Sequence, residues 1–149
     1  MTDRASATIR IGGAIAFDLL PALLEAIECD GGSADWEGKP VDLSSISENC
    51  LREVCAYELI GGEFDHVETF CNRHGISYVR ISAACAGAFG AQRVVHTGDG
   101  LPAEYEINES EMIVLTRTEL NELGSIDAAN SWFEMGEFMP LPIEVSDGA

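Results

Sequence analysis

Lysine is all but missing from this chain. Lys39 and seven arginines stand against 26 acidic residues in 149, and the formal net charge is −18. A field of that sign repels phosphate backbones and anionic lipid, so neither nucleic acid nor a membrane surface is an expected direct partner. Long apolar runs are also lacking: none approaches the roughly 18 residues of a spanning helix, and Met1–Ser6 has no apolar signal core. The five cysteines are odd in number, which excludes a complete internal disulfide set and points to free thiols in a reducing, cytoplasmic setting.

What is present is the composition of a folded protein. At 149 residues with 46% hydrophobic content, the chain is long enough to bury one core without staples. The charge is not spread evenly. Residues 1–50 hold nine acids against three bases, residues 51–100 six against four, and residues 101–149 eleven against Arg117 alone. The final third, at −10, is the acidic pole. Carboxylates at that density attract basic surfaces, and they also serve plain solubility or a saline habitat.

Ala7, Ile9 and Ile11 alternate with Thr8 and Arg10, which predicts a strand with one buried face, closed by Gly12-Gly13. Asp18 is placed to cap a helix whose Leu20, Leu23, Leu24 and Ile27 share one face, with Pro21 in the first turn and Gly31-Gly32 as the stop. Residues 33–49 read as a loop containing Trp36, expected to fold back on the core, and Ser45 with Glu48 has the spacing of a capping box. Leu51–Ile60 suits a strand better than a helix. After Gly61-Gly62, the positions Phe64, Val67, Phe70, Cys71 and His74 mark a second helix, with acids at its start, Arg73 and His74 at its end and Gly75 as its cap. Strands are predicted at Ile76–Ala83, Gln92–Thr97, Ala103–Asn108 and Met112–Leu115, and a short helix runs from the Thr116/Glu119 capping box to Gly124. Pro140 and Pro142 confine the last segment to an edge strand or a tail. The order predicts an α+β domain over 1–127, mainly an antiparallel sheet with two main helices on one face and a short third helix. Residues 128–149 then form an apolar-acidic segment that either packs back or binds a partner.

Candidate chemistry is sparse. His66, Cys71 and His74 are close in sequence, but a zinc site needs further ligands from elsewhere, so no metal is expected. Cys50 and Cys55 have no second pair to complete a zinc ribbon. Cys85 lies among small residues and would need His96 or His66 brought to it as a base, which no local pattern provides. Gly12-Gly13 and Gly61-Gly62 precede helices yet lack a full phosphate-binding pattern. The chain is therefore expected to be neither catalytic nor dependent on a cofactor.

The acidic constellation is more specific. Glu104 and Glu106 sit two apart on a strand and point the same way, roughly 6.5 to 7 Å from one another, on the order of the phosphate spacing along a nucleic-acid strand. Glu109, Glu111, Glu119 and Glu122 extend the run, while Trp132 and Phe138 in the final segment are candidate apolar anchors. In charge and size alone the chain resembles the DNA-mimic inhibitors of phages and mobile elements, such as antirestriction and anti-CRISPR proteins. That likeness implies a protein that blocks the basic, nucleic-acid-binding surface of a partner. Two alternatives stand beside it: a small enzyme using Cys85 or the Cys71/His74 region, and an assembly subunit with a merely solubilising surface.

Overall fold

The computed structural model describes residues 3–47, 51 and 53–146. Its frame is a six-stranded sheet in the order β2-β1-β3-β4-β5, antiparallel throughout that path. The strands are β1 (Arg4–Ala16), β2 (Val54–Ile60), β3 (Ser77–Ser82), β4 (Gln92–His96) and β5 (Ala103–Glu106), with β6 (Ile143–Ser146) lying parallel to the far half of β1. The helices are α1 (Leu20–Cys29), α2 (Leu43–Ser47), α3 (Asp65–His74), α4 (Arg117–Leu123) and α5 (Ile126–Gly136). The α+β class with a mainly antiparallel sheet is as the periodicities predict.

One face of the sheet carries the main core. Ala7, Ile9 and Ile11 of β1, Val54 and Ala56 of β2, Tyr78 of β3 and Val94 of β4 meet Leu20, Leu23 and Ile27 of α1 and Phe64, Val67 and Cys71 of α3. Alternation along each strand and the i, i+3, i+4 spacing along each helix put these residues inside. Amid them lies Arg80, 2% exposed. Its Nε donates to the Glu68 carboxylate at 3.1–3.2 Å, and its Nη1 to Ser82 Oγ at 3.1 Å and Gln92 Oε1 at 3.4 Å. Glu68 also accepts from the Phe64 amide (2.7 Å), so one carboxylate starts α3 and holds the buried cation. Burial holds the Glu68 carboxyl above its ordinary value, although Arg80 pulls it the other way.

Several local expectations need correction. Gly12-Gly13 does not end β1. The strand changes partner there, with Gly13 at a φ of 88°, and runs on to Ala16, because Gly13–Ala16 pair with β6. A Cβ on Gly12 would stand 1.9 Å from the Leu141 carbonyl oxygen, so only glycine admits the returning chain. Asp18 caps nothing: it lies in a 3-10 turn, Phe17–Leu19, and Leu19 takes the N-cap position of α1 without a side-chain bond. The short helix α2 is started by Asp42, which accepts from the Ser45 amide at 2.8 Å, while Glu48 lies outside the described residues. Met112–Leu115 is not a strand and makes only a single bridge, Ile107 to Ile113.

The largest miss is α5. Residues 128–146 take the packed-back alternative but with more regular structure than expected: α5 begins at Ile126 with Ser125 as its cap, and β6 joins β1. Helices are therefore not confined to one face. α5 lies on the opposite face, where Trp132 and Phe138 pack against Val79, Val95 and Tyr105. Gly136 permits this approach, since a Cβ there would press on Tyr105 and Ile113. The short third helix, α4, has the full Thr116/Glu119 capping box and Gly124 in the left-handed cap conformation, as the sequence predicts.

Candidate partner-binding surface

Glu104 and Glu106 are exposed on β5, opposite Val94 and Gln92. Direct cross-strand partners share a face, so both carboxylates point to the α1/α3 side, beyond the part of the sheet those helices cover. The chain then turns at Asn108. Asn108 Oδ1 accepts from the amides of Ser110 (2.9 Å) and Met112 (3.0 Å). Glu111 adopts a positive φ of 62°, a conformation that side chains other than glycine and asparagine seldom take. This turn carries Glu109 and Glu111 to the other side of the β5 edge. Glu122 is exposed on α4, whereas Glu119 is half-buried and its Oε1 accepts from the Thr116 amide. The acidic residues wrap an edge and do not form one flat row.

Among the described residues the ion pairs are Arg10 with Glu53, His66 with Asp30, and Arg80 with Glu63 and Glu68. None of them uses Glu104, Glu106, Glu109, Glu111, Glu119 or Glu122. Arg93 donates instead to the carbonyls of Gly136 (2.7 Å) and Phe138 (2.8 Å), fastening the end of α5 to the sheet. Trp132 and Phe138, considered as anchors for a partner, contribute to the second core, where the Trp132 ring meets Tyr105 at 5.0 Å.

A cleft of about 590 Å³ opens on the second face between Trp36 and the Asn108 turn. Thr8, Ile81, Ala83, Ala84 and Ala91 line it, and Glu109 and Glu111 are its charged residues. An adjoining hollow of about 490 Å³ shares Thr8, Trp36, Ile81 and Glu111 and adds Arg10, Glu53 and Arg93. Trp36 is 38% exposed. It does not enter the main core but tilts against Tyr57 at 4.8 Å, and the Tyr57 hydroxyl donates to its carbonyl at 2.7 Å. Sequence reasoning did not find this cleft, whose walls come from four separate segments.

The cysteine and histidine candidates are not brought together. Cys71 is buried and burial pushes its thiol up to about 12, so in this environment the neutral thiol is the form present at neutral pH. His96 is 1% exposed, hydrogen-bonded to the Ile76 carbonyl and stacked on Tyr78. Cys85 lies past Ser82, at the other end of the same strand pair. Cys50 falls outside the described residues. The thiols of Cys29, Cys55, Cys71 and Cys85 are free. Among the described residues no three His, Cys, Asp or Glu side chains stand together as metal ligands, and no helix is long and apolar enough to cross a membrane.

His66 has a structural duty. Asp30, at the end of α1, accepts from the amides of His66 (3.1 Å) and Val67 (2.9 Å) and from His66 Nδ1 (2.8 Å). One carboxylate thereby caps α3 from another helix, and its hydrogen bond and charge raise the His66 pKa. No protein-family model, no curated protein and no solved structure matches this chain.

Proposed function

We propose that this protein is a non-catalytic acidic binding protein that occupies the basic, nucleic-acid-binding surface of a partner, as DNA-mimic inhibitors do. The observation that supports it most is the state of the β5 edge. Glu104 and Glu106 are exposed, aligned on one face and in no ion pair among the described residues. Glu109 and Glu111 continue the negative surface around that edge, and Glu122 adds an exposed carboxylate on α4. Carboxylates without a paired cation keep more of their field for a cationic groove. A groove built for phosphates meets negative groups at a comparable spacing and cannot reject them by charge.

Capture of partners from the native cell tests the reading. The bound protein is expected to leave the column as salt is raised and to be displaced by duplex nucleic acid. Charge reversal by Glu104→Lys with Glu106→Lys should reduce its capture severalfold. Capture that is indifferent to nucleic acid and to both reversals removes the proposal.

A further inference from the structure

We infer that the cleft between Trp36 and the Asn108 turn is a receptor for one arginine side chain of the basic partner. The inference rests on the acidic-binding reading and names the group of the partner that is recognised. Three features match a long aliphatic stem ending in a flat cation. The floor is small and apolar, with Ile81, Ala83 and Ala84 beneath the stem. Trp36 offers an indole wall, and indole attracts a guanidinium through its ring quadrupole. Glu109 and Glu111 supply the cleft's charge, in a form that accepts two parallel N–H donors. A guanidinium is planar and weakly hydrated, so it suits stacking with carboxylate contact better than an ammonium.

The neighbouring arginines do not turn the site toward anions. Arg93 turns Nε and Nη2 to the Gly136 and Phe138 carbonyls and stands within the field of Glu111, and Arg10 leans on Glu53 at 3.8 Å. Glu53 and Glu111 accompany these two arginines in the adjoining hollow, so the added charge there cancels and Glu109 leaves the whole negative. The backbone of each wall is held in advance, at Trp36 by the Tyr57 hydroxyl and at Glu111 by the Asn108 turn, and the Trp36 ring rests on Tyr57, which reduces what a ligand must order.

The chain holds two tryptophans, so its two indole N–H resonances can be followed in 15N-labelled protein, with Trp36→Phe assigning them. The probes are acetyl-Ala-Arg-Ala-amide and its citrulline counterpart, equal in shape but uncharged. The arginine peptide is expected to shift the Trp36 signal and leave Trp132 in place. The citrulline peptide, and the arginine peptide on Glu109→Gln/Glu111→Gln protein, should each need about tenfold more to half-saturate. Equal responses to the two peptides, or a Trp36 signal unmoved at millimolar peptide, overturn the inference. If nucleic-acid-displaceable capture persists while Trp36 fails to respond, the receptor falls and the acidic-binding reading stands. If Trp36 responds selectively but no such partner is captured, the receptor stands and the acidic-binding reading falls.

Discussion

The two faces of the sheet are built to different standards. The first face is sealed by α1 and α3 over a broad core and encloses an ion pair, Arg80 with Glu68, whose members are 2% and 12% exposed at the side chain. The second face has a smaller core, centred on Val79, Val95 and Tyr105. There α5 covers the β4/β5 side, and the sheet between Trp36 and the Asn108 turn is left as a cleft. The first face holds the molecule together wherever α1 and α3 cover it, and the second keeps an open cleft beside its smaller core. The difference also explains where polar groups are tolerated. A charge can be enclosed on the first face only because four side chains satisfy it, while on the second face Arg93 is held by the Gly136 and Phe138 carbonyls and Arg10 by the half-exposed Glu53.

The contrast can be broken most severely at Arg80. Arg80→Met leaves Glu68 buried without its cation and should cost about 3–5 kcal/mol, read by denaturant unfolding, whereas Arg80→Met with Glu68→Leu should recover most of that loss. A single variant as stable as the parent would show that the pair is not enclosed. On the second face, Trp132→Ala removes a half-buried side chain and should cost about 1–2 kcal/mol. Its amide exchange should speed up over α5 but not over α1 and α3, and uniform loosening would mean that the two faces are one cooperative unit. The smallest effect is at His66. Its pKa is raised in the folded protein, so the stability it brings is complete below the ordinary value near 6.5 and is lost as pH rises through the folded value. The melting-temperature gap between parent and His66→Gln should therefore be widest in acid and close above neutrality. A gap that grows with pH would contradict the Asp30 contact.

What could be read in advance was whatever depends on neighbours in sequence. α3 has its apolar stripe, its acidic start and its Gly75 cap within a dozen residues, and α4 has a complete capping box. Long-range pairing hid the rest. The continuation of β1 past Gly12-Gly13 depends on a strand about 130 residues further on, and no local pattern announces it. α5 did leave a signal, since Ser125 as cap and Ala129, Trp132, Phe133 and Gly136 follow helical spacing. The exposed Ile126 and Met135, mixed with acids, blurred that stripe, and Pro140 and Pro142 drew the reading toward an extended tail. Glu104 and Glu106 were legible as a pair because period two is strictly local. The cleft was not, because Thr8, Trp36, Ile81 and Glu111 meet only after four segments are folded.

The change of partner at Gly12-Gly13 sets a timetable for biosynthesis. The far half of the first strand has its partner in Ile143–Ser146, so a chain emerging from the ribosome carries Gly13–Ala16 unpaired until residues 143–146 have been made. Pairings of such wide separation form late, and an open strand edge is a template for unwanted association in the meantime. Production of this protein should therefore respond to chaperone supply and to growth temperature more than its modest length suggests.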